Sequence, residues 1–286
     1  MHRRSFLALL AAAAAAPRPA RAEGLHAAVG RAVRQIPGIT GVYARTMSGA
    51  PALVAINDEV SFPAASTIKM LIMLTAFNAG ALHETVVVHA SDIVGGSPFL
   101  AGATGGERFT VAQLVKPMIQ LSDNTASNAL ISHFGFERIN AQIHEAGLYR
   151  TQLKRHFLDY SAIVHHMENR TTPRDMGMLF YELERSSRED LTTVATAANS
   201  RAMIEILLGQ TDRDKIPAGL PSGVSVANKT GEVDGVRNDA AIVDPFGDSP
   251  FVLTVYTKDV DDYAAALAGI NRIAGAVYAR VAGSDL

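Results

Sequence analysis

The 286-residue chain contains no cysteine and no tryptophan, and aromatic residues make up only 6% of it. Without a thiol it has no cysteine nucleophile and no disulfides to staple it in an oxidising compartment, so its stability must come from packing. A basic excess is also missing, because 26 lysines and arginines face 28 acids. Nucleic-acid binding by bulk charge needs a clustered basic face and is excluded on that balance, which leaves a small molecule as the expected partner. The nine histidines form neither a His-Glu-x-x-His nor a His-x-His-x-Asp run. His165-His166-Met167-Glu168 lacks the required spacing, so no metal and no cofactor is expected.

Long apolar runs are scarce too. The stretch at residues 8–16 is Ala-rich and shorter than the roughly 20 residues that span a bilayer. It follows Arg3-Arg4-Ser5-Phe6-Leu7 and precedes Ala20-Arg21-Ala22, and so reads as an export leader cleaved after Ala22 rather than a membrane anchor. The paired arginines suit the twin-arginine route, with an ordinary secretory signal as the competing reading. Loss of residues 1–22 removes four arginines and no acid, taking the net charge from −2 to near −6. The expected product is an exported, periplasmic or secreted monomer without a stable membrane anchor.

What is present is 48% apolar, ample for a large core. Helical spacing over residues 24–35 gives way at Pro37-Gly38 to alternating segments at 40–45 and 52–57, read as a pair of strands. Residues 66–80, 110–121, 126–134, 136–146, 173–185 and 201–208 favour helices, several opened by Thr, Ser or Pro. Strand-like runs return at 224–229, 239–243 and 251–256, before a long Ala-rich helix at 260–281. Strands from both ends should share one sheet. The glycine-rich patch between residues 95 and 106 lacks the Lys of a phosphate loop and reads as a flexible rim loop.

Three polar motifs occur in order: Ser66-Thr67-Ile68-Lys69, Ser122-Asp123-Asn124 and Lys229-Thr230-Gly231. Each alone is unremarkable, since Ser-Asp-Asn is an ordinary helix N-cap sequence and Ser-x-x-Lys suits any exposed helix. Together they supply a nucleophile, proton carriers and an anion anchor. A helix starting near Ser66 would set its hydroxyl among free backbone N–H groups, with Lys69 one turn on along the same face. Lys69 can accept a proton there only if burial or a cation such as Lys229 lowers its pKa from about 10.4. Ser122 would relay a proton to a departing nitrogen, Asp123 would brace its loop, and Asn124 would offer an amide to a substrate amide. Gly231 on a strand edge would let substrate approach the backbone.

With these residues in this order, the chain resembles the class A β-lactamases, active-site serine hydrolases, over nearly everything after the leader. The resemblance implies an α/β (α+β) fold: an antiparallel sheet flanked by helices and built from both termini (residues 23–60 and 220–286), with an inserted helical lobe (61–219). It implies that Ser66 opens a β-lactam amide through an acyl-enzyme, with Lys69, Ser122 and Lys229 as catalytic partners. The N–H groups of Ser66 and Glu232 would form the oxyanion hole. Lys229 and Thr230 would hold the substrate carboxylate, with Arg237 either helping them or purely structural. Family members also carry a loop glutamate that activates the deacylating water, and here Phe157 stands in its place. Asp159 or Glu168 would have to substitute. A D,D-peptidase-like penicillin-binding enzyme and a non-turnover β-lactam sensor are the alternatives, because neither needs that glutamate.

Overall fold

A computed structural model describes residues 24–283; the expected leader lies outside them. The chain runs α1 (Leu25–Arg34), β1 (Ile39–Thr46), β2 (Val54–Ile56), β3 (Phe62–Pro63), α2 (Lys69–Asn78), β4 (Thr85–Val87), β5 (Arg108–Thr110), α3 (Val111–Gln120), α4 (Asn124–Phe134) and α5 (Phe136–Glu145). It continues α6 (Tyr160–Val164), β6 (Arg170–Thr171), α7 (Pro173–Glu189), α8 (Ala197–Leu208), β7 (Val226–Val233), β8 (Val236–Val243), β9 (Phe251–Lys258) and α9 (Tyr263–Val281). Among the described residues, no helix is long and apolar enough to cross a membrane.

Five strands form one antiparallel sheet in the order β2-β1-β9-β8-β7. The β1–β9 pairing, from Ile39 opposite Lys258 to Thr46 opposite Phe251, joins the two ends of the chain, as the alternating segments at both ends suggest. Residues 251–257 of β9 are all buried, which requires both faces of the sheet to be covered. On one face lie α1 and α9, whose Val29, Ile270 and Ile273 pack with Val42 and Leu253. On the other lies α7, whose Met176 and Phe180 share a core with Tyr43, Val252 and Tyr256.

The helical lobe is built around α2, which is buried at nine of its ten positions. A helix apolar on every side has to lie at the centre of its neighbours, so Lys69, its first residue, is drawn inside with it. Several helix starts follow from side-chain caps: Thr110 accepts from Gln113 N, Asp123 from Ala126 N, and Thr172 from Asp175 N with Pro173 next in line. Helix α8 starts at Ala197, capped by Thr196, four residues before the periodic segment suggested. The strand expected over 224–229 runs instead to Val233, so Lys229-Thr230-Gly231 lies within β7 rather than at its end.

The glycine-rich rim is held rather than free. Asp123 Oδ2 accepts from Phe99 N at 2.9 Å and Leu100 N at 3.1 Å, while Oδ1 caps α4 at 2.8 Å. Ser97 and Thr125 share a hydroxyl–hydroxyl bond of 2.7 Å. One fully buried carboxylate therefore ties the rim to the Ser122 loop. Replacing it orphans two rim donors and removes a cap, each worth on the order of 1 kcal/mol or more. Asp123→Ala should lose about 3 kcal/mol in chemical denaturation and Asp123→Asn markedly less; equal, small losses would contradict this bracing role.

Candidate active site

Strand β3 leads into a 3₁₀ turn over Ala65–Ile68 that runs straight into α2. Ala65 has φ of 46°, a left-handed conformation that a non-glycine residue adopts only under constraint. The constraint comes from Thr67, whose hydroxyl donates to Ala64 O at 2.7 Å and accepts from Tyr256 OH at 2.9 Å. Burial raises the Tyr256 phenol well above its ordinary pKa, so it stays a donor. Strand β7 passes close by. A Cβ on Gly231 would stand 3.0 Å from Ala64 O and 3.1 Å from Ser66 N, so any larger residue would press on the backbone that carries the serine.

Lys69 donates to Ser122 O at 2.6 Å, Ser122 Oγ at 3.1 Å and Asn124 Oδ1 at 2.8 Å. Lys229 donates to the same Ser122 Oγ at 3.1 Å and to Thr230 O at 2.8 Å. Both lysines are fully buried. Burial, and then the charge of Lys229, hold the Lys69 amine well below its ordinary pKa, against a smaller opposing pull from Asp123. Burial brings Lys229 down to about 7 despite the nearby carboxylates Asp212 and Asp239. Ser122 itself has φ of 57°, the second non-glycine residue of the site held in the left-handed region. Asn124 is committed on both sides of its amide, donating to Gly95 O at 3.0 Å as well as accepting from Lys69.

The N–H of Glu232 faces the cleft. Opposite it, Arg237 N donates to Thr257 Oγ1 at 2.7 Å and so points away from β7. The Glu232–Arg237 pair is therefore a non-hydrogen-bonded one, in which both N–H groups point outward. As β7 is an edge strand, its outward donor meets the turn that carries Ser66. Ser66 N–H, in the first turn of a helical segment, has no acceptor within that segment.

Phe157 sits on an Ω-loop whose neck is closed by Arg155 and Glu168 at 2.8 Å and by Asn169, whose Oδ1 accepts from Lys154 N and Arg155 N. Asn128 grips Phe157 through its backbone, accepting from the N–H at 2.8 Å and donating to the carbonyl at 3.2 Å. The ring lies 4.4 Å from Lys69 Nζ. The place a loop glutamate would take beside Lys69 is thus filled by an apolar face.

Neither carboxylate considered as a substitute is delivered there. Asp159 caps α6, accepting from Ser161 Oγ at 2.7 Å and Ala162 N at 3.0 Å, and the Ser161 bond foremost lowers its pKa and weakens it as a base. Glu168 is spent on the loop neck, accepting from Arg155 and from its neighbour Asn169 N.

Nor is Arg237 brought to the cleft wall. Its guanidinium donates to Val233 O and Val236 O at 3.0 and 2.7 Å and stacks on Tyr263 at 3.6 Å, the structural alternative of the sequence reading. Lys215, which carries no motif signal, is buried instead beside Asp212 and Glu232, at 2.7 and 2.6 Å. The only cue to it is a charge-rich run, Asp212-Arg213-Asp214-Lys215, shortly before β7.

Around Ser66, a groove of about 370 Å³ is walled by Ser122, Asn124, Asp212, Thr230 and Glu232. It continues past Ser66 into a second hollow of about 490 Å³ under the Ω-loop, reached by Phe157, Tyr160 and Ile163. Ser66, Lys69, Ser122, Asn124, Lys229, Thr230, Gly231 and Glu232 thus converge on one groove, and Asp159 and Arg237 do not.

A family model described as "Beta-lactamase enzyme family" matches residues 24–281. The carbapenem-hydrolyzing β-lactamase KPC of Klebsiella oxytoca is 30% identical over 253 residues, 83% of each chain. β-Lactamase CTX-M-6 of Salmonella typhimurium is 33% identical over 181 residues, 61% of this chain and only 59% of that protein. The crystal structure of a β-lactamase from Sphaerobacter thermophilus superposes with a TM-score of 0.78 at 28% identity, covering 91% and 97% of the two chains. PBP-A superposes with a TM-score of 0.80 at 24% identity, covering 91% of this chain and 96% of its own, a likeness of fold alone. By the span of the family match and the KPC relationship, the chain belongs to the class A β-lactamase family.

Proposed function

We propose that the groove is an acyl-transfer site, in which Ser66 attacks the carbonyl carbon of a cyclic or peptide amide and is left esterified. Lys69 as the free amine takes the serine proton, and the proton passes through Ser122 to the departing nitrogen as the C–N bond breaks. The N–H groups of Ser66 and Glu232 stabilise the oxyanion, a contribution usually worth about 3 to 4 kcal/mol per donor. The observation that carries this reading is the single hydroxyl of Ser122 shared by two buried amines at 3.1 Å each, both with lowered pKa. That arrangement favours the neutral form of each amine more than an exposed site would and lays a proton route through Ser122. The substrate is a small molecule, and the expected leader places the mature chain outside the cytoplasm.

Acylation and deacylation part company at Phe157. A positioned general base contributes about 10² to 10⁴ in rate, and the ring over Lys69 offers none. The chain is therefore read as a β-lactamase-like serine hydrolase that opens β-lactams and releases them slowly. The same absence favours, as a second reading, a penicillin-binding enzyme acting on D-Ala-D-Ala peptides. Release of D-alanine from such a peptide separates that reading from a sensor that stays acylated.

Mixing the protein with a chromogenic cephalosporin should give a stoichiometric burst of colour and a lasting increase in intact mass, both lost in Ser66→Ala. Sustained colour without an accumulating adduct, lost in Ser66→Ala, would keep the nucleophile and overturn the slow release; colour or an adduct that survives in Ser66→Ala would overturn the assignment of Ser66. Phe157→Glu should shorten the adduct lifetime by at least 10²-fold, followed by the return of native mass. An unchanged lifetime would show that this loop position does not face the ester.

A further inference from the structure

The groove that holds Ser66 and Ser122 is also lined by two of the protein's own carboxylates, Asp212 and Glu232, on the side where the proposed proton route through Ser122 directs a leaving group. Lys215 Nζ donates to Asp212 Oδ2 at 2.7 Å and Glu232 Oε1 at 2.6 Å. These bonds outweigh the burial that would otherwise lower its pKa, so the amine remains charged. The bond and the charge of Lys215 hold Asp212 below its ordinary pKa against its burial. Arg237 Nε lies 3.7 Å from Glu232 Oε1, with the remainder of its guanidinium on Val233 O, Val236 O and Tyr263. Lys229 is turned to Ser122 and Thr230 O, and Arg213 to Val226 O and Asn228. Every donor suited to a substrate carboxylate on this side has an internal partner.

The layering of charge decides what an incoming group meets. The cations are inside, with the Lys215 side chain 1% exposed and that of Arg237 15%. The carboxylates are outside, Asp212 at 31% and Glu232 at 46%, and both line the groove that holds Ser66. A ligand carboxylate would have to displace Glu232 from Lys215 or lie against it, and like-charge contact is an effective way to reject a ligand.

We infer that Glu232, supported by Asp212, is a specificity-determining residue that disfavours acyl donors with a carboxylate beyond the scissile bond and favours those carrying a neutral amide or an amine there. This rests on the reading of Ser66 as the acylated nucleophile and names the substrate class of the same site. β-Lactams, which carry that carboxylate, then acylate the chain more slowly than a matched neutral donor does.

Three thioesters with one common acyl group test it, differing only in the leaving thiol: mercaptoacetate, mercaptoacetamide or 2-(trimethylammonio)ethanethiol, whose quaternary nitrogen cannot take up the acyl group. In each case the Ser66 Oγ–acyl bond forms, the C–S bond breaks, and the thiol departs with the serine's proton. Acylation is followed by intact mass and thiol release, with each rate normalised to hydroxide-catalysed hydrolysis of the same probe. The unaltered protein should prefer the carboxamide and ammonium probes over the carboxylate by tenfold or more. Glu232→Gln, which keeps an acceptor for Lys215, should shift that ratio at least tenfold toward the carboxylate, and Asp212→Asn should shift it the same way by less. Equal or greater reactivity of the carboxylate probe with the unaltered protein overturns the inference, as does an unchanged ratio in Glu232→Gln. Failure of all three probes to label Ser66 overturns the acylation reading itself, and the inference with it.

Discussion

Two buried amines share one hydroxyl oxygen. Each lies 3.1 Å from Ser122 Oγ, so the two nitrogens are within about 6 Å of each other. At that separation the two like charges repel, so each amine holds the other below its ordinary pKa. Burial adds to the penalty, and the two effects together resist full ionisation of the pair near neutrality. The proton that one amine gives up has a ready path through Ser122 to the other side of the groove. The chemistry assigned to Ser66 depends on this pair more than on any feature of the serine itself.

The fold serves that pair. Lys69 is buried because α2 is apolar on all sides and fills the middle of the helical lobe. Lys229 is buried because residues 226–231 of β7 are covered along their length. The two elements come from different layers, and Gly231 sets how near they approach, since any Cβ there would press on the backbone around Ser66. Ser122 is held between them by a loop in left-handed conformation that Asp123 anchors to the rim. Phe157 completes the enclosure, laying a ring 4.4 Å from Lys69 Nζ that keeps water from one side of the amine.

Much of this is legible from residue order alone, because motifs name chemistry and periodicity names elements. The strands at the two ends of the chain, the central run of helices and the triad of polar motifs all emerge from spacing. Phe157 is assigned to its loop position by the family resemblance, anchored on Gly147, Thr151, Leu153 and Arg155 on one side and Thr171-Thr172-Pro173 on the other. Side-chain direction is another matter. Arg237 is the cross-strand neighbour of Glu232, yet its guanidinium curls back to two carbonyls and an aromatic ring, a choice set by the β7–β8 turn and by Tyr263 of α9. Asp159 is within two residues of Phe157 but caps a five-residue helix, α6, too short to show a period. Lys215 and its two carboxylates are joined only by the folding of a loop against β7, which leaves no pattern in the chain.

The polar groups of the groove stay together, while an aromatic ring lies against Lys69 and two carboxylates, Glu232 exposed and Asp212 partly buried, lie over the buried Lys215. The central claim is the paired, depressed ionisation of Lys69 and Lys229, and carbon-13 NMR titration of ε-labelled lysines observes it directly. Resolved with the single variants Lys69→Met and Lys229→Met, the spectra should show one lysine titrating at about 7 and the other well below 10.5. Both resonances titrating near 10.5, as ordinary lysines do, would contradict the account.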